Sequence, residues 1–225
     1  MGQNMNRRED RMSTEIEISI LPEVALERLK EGNERFVSEE RAHFHTGHER
    51  RVETLRNGQH PLATVLACSD SRVPVEMVFD QGIGDIFVVR LIGNVCNNVG
   101  QGCIEYAVEH LRTPLLVIMG HTDCGAVKAV VEREKLHGNM SSLLTCINWA
   151  VGKTRKKYPE LSGNPLLAAC IEANVWQSVE DLFKGSRMVC RKIRNGELRV
   201  VGAIYDLESG RVNWLGGHPN QIGLI

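Results

Sequence analysis

The chain has 225 residues, 42% hydrophobic and 24% charged, the range of a globular protein able to bury one sizeable core. Lys and Arg number 27 against 28 Asp and Glu, a net charge of -1, so no overall basic field attracts nucleic acid or an anionic membrane. The expected substrate is small. Seven cysteines are scattered through the chain, an odd number with no dense framework, which argues against disulfide staples and for a reducing compartment.

Residues 1–20 are polar and lack the apolar stretch of a secretory signal, and Asn6 breaks the myristoylation pattern after Gly2. This segment reads as flexible. The longest apolar runs, such as Leu115–Met119, are too short to span a bilayer, so a cytoplasmic location and no membrane partner are expected. From residue 21 to 225 no Pro, Ser or Gly-rich linker divides the chain, which predicts one domain.

Pro22 suits a first helical turn, and Val24, Ala25, Leu26, Leu29 and Phe36 follow at near-helical spacing among charges. An amphipathic arm over Pro22–Val37 is predicted, lying on a partner subunit. The charged stretch Ser38–Gln59, with His43, His45 and His48, reads as a helix and loop on the surface.

Beyond Pro61, short apolar bursts alternate with helical patterns. Strands are predicted at Leu62–Ala67, Ile86–Val89, Leu115–Met119 and Val200–Tyr205, apolar on both faces as strands covered by helices must be. Helices are predicted at Gln101–Leu111, Ala126–Lys135, Ser141–Lys157 and Leu166–Lys184. Alternation of this kind implies an α/β fold, a mainly parallel central sheet flanked by helices. Arg211–Leu215, after Ser209-Gly210, is expected to return as a C-terminal antiparallel edge strand.

Two clusters carry chemistry. Cys68-Ser-Asp70-Ser-Arg72 follows the first strand directly, and Gly120-His121-Thr-Asp-Cys124-Gly125 follows the third. Both fall at the carboxyl ends of parallel strands, where open α/β sheets place ligands. Two thiolates and an imidazole suit zinc, and a set of three leaves one tetrahedral position for water, the signature of a catalytic site. A lone cysteine is more often a small buried apolar residue, and Cys96, Cys103, Cys146, Cys170 and Cys190 are assigned to packing. His43, His45, His48, His60, His110, His137 and His218 are read as surface or structural.

The pair C-x-D-x-R and H-x-x-C resembles the metal-binding signatures of the β-class carbonic anhydrases. The likeness continues through Phe79-Asp80-Gln81, Gly84–Arg90, Gly93-Asn94 and Ile104–Val108, and covers roughly residues 23 to 215. It implies one zinc per chain held by Cys68, His121 and Cys124, an assembly built from homodimers, and interconversion of carbon dioxide and bicarbonate by attack of zinc-bound hydroxide. Asp70 and Arg72 match the pair that arranges the water. Gln59, Phe87, Ile92 and Tyr106 match residues lining the substrate cleft of plant-like members, with Ile92 where valine is common, and Gly125 belongs with them. Members with a bicarbonate-responsive closed state carry tryptophan three residues before the first cysteine. Val65 stands there instead, so an open site with Asp70 paired to Arg72 is expected.

Two thiolates would cancel the metal's charge and lower the pKa of bound water less than three histidines do. Asp70 would therefore have to orient the hydroxide, with Arg72 keeping it ionised. Hydrolysis of carbonyl sulfide or carbon disulfide is an alternative on the same site. A non-catalytic zinc module is a lesser one, and it requires a fourth protein ligand.

Overall fold

The computed structural model describes residues 20–40, 42, 46–135 and 137–225. The expected flexible segment, apart from Ile20, and also His43 and His45 lie outside the described residues.

Helix α1 (Pro22–Val37) starts with Pro22 in its first turn, with Glu23 near the positive end of the helix dipole and Arg35 near the negative end. Helix α2 (His48–Asn57) buries no residue. Five strands follow: β1 (Ala63–Ala67), β2 (Ile86–Arg90), β3 (Leu115–His121), β4 (Arg199–Tyr205) and β5 (Val212–Gly216). Between and after them lie α3 (Val75–Val78), a 3-10 turn (Ile92–Asn94), α4 (Asn98–Glu109), α5 (Gly125–Val131), α6 (Met140–Leu143), α7 (Thr145–Lys157), α8 (Gly163–Gly185), α9 (Arg187–Arg194) and α10 (Gln221–Leu224).

The sheet runs β2-β1-β3-β4-β5, parallel except for β5, as the alternating pattern implied. Alternate residues of each strand serve opposite faces. Val65, Val117, Val201 and Ala203 point to the layer that holds α1 and α3. Leu66, Leu116, Ile118 and Val200 point to the layer of α4, α8 and α9. A third cluster joins Cys68 and Cys124 to apolar residues of α5, α7 and α8.

Several expected boundaries shift. The helix foreseen over Ala126–Lys135 ends at Val131, because Arg133 takes a left-handed φ of 58° and closes the turn. The helix foreseen over Ser141–Lys157 is broken at Leu144 into α6 and α7. Strand β3 runs two residues further than expected, so that His121 is its last residue.

The N-terminal arm packs on its own chain through one side. Ala25, Leu26 and Leu29 of α1 are buried against this chain's own sheet, beside Val65, Val117 and Val201. That part of the amphipathic face is covered within the chain, while Val24 on the same helix stays 44% exposed. Buried Asn33 fastens the arm: its Nδ2 donates to the carbonyls of Val78 (3.0 Å) and Gly210 (2.9 Å), and its Oδ1 accepts from the amide of Val212 (2.8 Å). Arg35 pairs with Asp80 and Arg50 with Asp85, each at 2.7 Å, tying α1 and α2 to the segment before β2.

Candidate metal centre

Strand β1 has neighbours β2 and β3 on its two sides, and such a switch in strand order opens a crevice at the strands' carboxyl ends. Cys68 leaves β1 there and His121 ends β3 there, with Cys124 just before α5. All three residues are buried, and one ligand atom from each lies within 4.8 Å of the others.

The imidazole is oriented by its own turn. His121 Nδ1 donates to the Thr122 carbonyl at 2.9 Å, which leaves the lone pair on Nε2. That Nε2 is buried and has no hydrogen-bond partner, although buried polar atoms are normally satisfied. A cation held with the two sulfurs satisfies it, so the donor set fits one zinc ion. Among the described residues no fourth cysteine or histidine joins the group.

The two sulfurs sit in different environments. Cys68 Sγ accepts the amides of Gly93 (3.2 Å) and Asp70 (3.4 Å). Its thiol is lowered to about 4, first by the hydrogen bond from Cys124, then by His121 and the two amides, against the cost of burial. Cys124 is pushed the other way, first by Cys68 and then by burial. Binding of a divalent ion by both sulfurs would require both thiols to be deprotonated.

Asp70 and Arg72 meet in a fork: Arg72 Nη2 reaches Oδ2 at 2.7 Å and Nε reaches Oδ1 at 3.0 Å, and the Arg72 backbone amide adds a bond of 2.9 Å. The hydrogen bonds from Arg72 hold the Asp70 carboxyl well below the usual carboxylate range. Oδ2 also lies 3.8 Å from His121 Nε2. Arg72 reaches across to the carbonyl of Asp123 at 3.4 Å, and Asp123 adopts a left-handed φ of 51° that aspartate tolerates.

Sequence reasoning missed the scaffold around this group. Arg90, the last residue of an apolar strand, donates to the carbonyls of Cys68 (3.2 Å) and Asp70 (2.6 Å). A lone arginine closing such a strand was the available signal. Thr122 accepts the Leu207 amide at 2.9 Å, fixing the histidine turn to the end of β4. Gly120 is held to glycine by packing, since a Cβ there would stand 2.9 Å from Val175 Cγ2. At Gly125, expected among the cleft residues, a Cβ would meet nothing within 4 Å, so the position leaves open space.

The expected cleft residues divide. Ile92 opens the 3-10 turn that carries Gly93, and it is exposed. Gln59 and Tyr106 line a separate cleft of about 920 Å³ with Leu55, Ile83 and His110. Phe87 packs on Tyr106 with ring centroids 6.1 Å apart. The metal-binding group is not among the residues lining that cleft.

A mainly parallel α/β sheet with a buried Cys-His-Cys group at its switch point, flanked by an aspartate-arginine fork, defines a class of α/β proteins built to be able to hold a metal ion there. The carbonic anhydrase family model matches residues 63–212. The carbonic anhydrase of Mycolicibacterium smegmatis is 38% identical over 208 residues, 91% of this chain and 98% of that protein. The β-carbonic anhydrase CafA of Aspergillus fumigatus superposes with a TM-score of 0.68 at 31% identity, covering 86% of this chain and 89% of the other. The β-carbonic anhydrase CcaA superposes with a TM-score of 0.69 at 25% identity, covering 85% and 91%. The chain belongs to the β-class carbonic anhydrase family.

Proposed function

We propose that the chain catalyses the reversible hydration of carbon dioxide to bicarbonate and a proton, with one zinc ion held by Cys68, His121 and Cys124. The observation that carries this reading is the unpartnered Nε2 of His121 beside two thiols, with the Asp70 carboxylate 3.8 Å away. Zinc bound there supplies a Lewis acid toward water.

Asp70 accepts a hydrogen of the attacking water and so aims the oxygen lone pair at the carbon of carbon dioxide. Arg72 keeps that carboxylate ionised and turned away from the sulfurs. The space left at Gly125 and the apolar side chain of Ile92 suit a small, uncharged, linear substrate. Gln59 and Tyr106, in the cleft of about 920 Å³, and Phe87, packed on Tyr106, serve the site of a second copy in a homodimer. Leu55 and Tyr106, exposed within that cleft, supply the apolar surface such an interface needs. Seven free cysteines suit a reducing compartment, and the cytoplasm is the proposed location. Among the described residues no helix is long and apolar enough to cross a membrane.

The test is stopped-flow hydration of carbon dioxide, with zinc quantified on the same sample. Stoichiometric zinc with no hydration from neutral to alkaline pH refutes the reading, and release of sulfide from carbonyl sulfide faster than carbon dioxide is hydrated reassigns the substrate.

A further inference from the structure

Helix α8 presents two polar side chains, Asn174 and Ser178, one turn apart on a face otherwise apolar with Ile171, Val175 and Val179. Both are almost wholly buried, at 1% and 2% exposure, and a polar residue in a helix interior costs stability unless it is partnered. Their partners are the same short turn. Asn174 Nδ2 donates to the Gly93 carbonyl at 2.7 Å, and Ser178 Oγ donates to the Asn94 carbonyl at 2.9 Å. The amide orientation at Asn174 follows from chemistry, because the reverse would set two acceptors against each other.

That turn needs holding. Gly93 and Asn94 both have left-handed φ, 60° and 45°, and for asparagine this conformation is uncommon. A Cβ on Gly93 would stand 2.6 Å from Ile147 Cδ1, so α7 closes the turn from the other side. The turn held this way also carries, one peptide before the Gly93 carbonyl, the Gly93 N–H, which donates to Cys68 Sγ at 3.2 Å. Hydrogen bonds to a ligand atom tune a metal as the ligand itself does.

We infer that Asn174, with Ser178, is a positioning residue for the metal centre, holding the Gly93–Asn94 turn so that the Gly93 amide donates to the Cys68 thiolate. The inference rests on Cys68 being a metal ligand, as proposed above. Asn174 acts at one remove, through Gly93, whose carbonyl it holds and whose N–H donates to the sulfur. Removing that hydrogen bond raises the energy of the sulfur lone pairs, which weakens the thiolate's fixed orientation and lowers the energy of sulfur-to-metal charge transfer.

The experiment uses the full chain loaded with cobalt(II) in place of zinc, and the metal-free chain for amide exchange. Asn174→Leu and Ser178→Ala are compared with Val179→Ala, a buried packing change on the same helix. For Asn174→Leu the expected result is one cobalt per chain held roughly 10-fold more weakly, a charge-transfer band at lower energy, and faster exchange of the Gly93 amide without metal. Ser178→Ala shifts both signals the same way by less. Val179→Ala loses thermal stability and leaves both signals in place. Should Asn174→Leu fail to fold, Ser178→Ala and Asn174→Asp carry the comparison. A band and a Gly93 exchange rate no more altered than in Val179→Ala overturn the inference. A wild-type chain with no sulfur-to-cobalt band instead overturns the ligand reading, and the Gly93 exchange rates then still decide whether Asn174 holds the turn.

Discussion

Asp70 Oδ2 lies 3.8 Å from Nε2 of His121 while Arg72 grips the same oxygen at 2.7 Å. The carboxylate therefore stands within a side-chain rotation of the metal-binding group, and the guanidinium fork decides which way it faces.

Replacing Asp70 with Asn keeps the shape and removes the anionic acceptor. Zinc content measured on the purified variant should remain one per chain, while kcat/KM for carbon dioxide hydration falls by roughly 100-fold or more, the scale of a positioned proton acceptor. Loss of zinc in step with activity would make Asp70 a ligand instead. The same substitution has a pH signature. Because Asp70's pKa is depressed in the fold, its stabilisation is fully present above the unfolded value of about 3.9 and is lost as pH falls toward the folded one. The difference in Tm between wild type and Asp70→Asn should thus shrink as pH drops below about 4.

Arg72→Ala releases Asp70 to turn toward the group it already neighbours. Activity should fall most near neutral pH and recover partly as pH rises, when hydroxide competes better with the carboxylate. A uniform loss across the pH profile would show that Arg72 acts on substrate rather than on Asp70.

Alanine at Cys68, His121 or Cys124 should remove bound zinc and hydration together, because thiolate and imidazole supply the binding. Chelation of the wild-type metal should likewise lower Tm, since a ligand that binds only the folded chain stabilises it. Full zinc occupancy in all three variants, read by metal analysis, would reassign the site.

Asn33→Ala tests the placement of the arm. It removes three hydrogen bonds linking α1 to the carbonyls of Val78 and Gly210 and the amide of Val212, and leaves those buried groups unpaired. The expected loss in urea unfolding is about 2–4 kcal/mol, with zinc content unchanged. A loss under about 0.5 kcal/mol would be that of an ordinary surface position.

Leu55, 84% exposed at the cleft that holds Tyr106 and Gln59, should be covered in the homodimer. Leu55→Arg is expected to shift sedimentation toward monomer and to lower activity without releasing zinc. Wild-type chain that sediments as an active monomer at assay concentration would remove the dimer from the mechanism.

The metal group, the fork and the parallel sheet were legible because each depends on local pattern. Apolar bursts of strand length alternate with helical periods, and the residues that follow two such strands can only emerge at the same edge of a parallel sheet. Cys68, Asp70, Arg72, His121 and Cys124 were readable for that reason. The partners of α1 were not legible: an amphipathic face states that something must cover it, not whether the cover is the chain's own β1 and β3 or another copy. Arg133 ending α5 early, and Asp123 and Asn94 in left-handed turns, likewise depend on torsions that no side-chain pattern encodes. Arg90, Asn174 and Ser178 reach the site across 20, 81 and 84 positions of sequence. Hydrogen bonds of that span are made only when β2 and α8 are packed on β1, so tertiary structure alone decided which backbone groups hold the metal-binding sulfur.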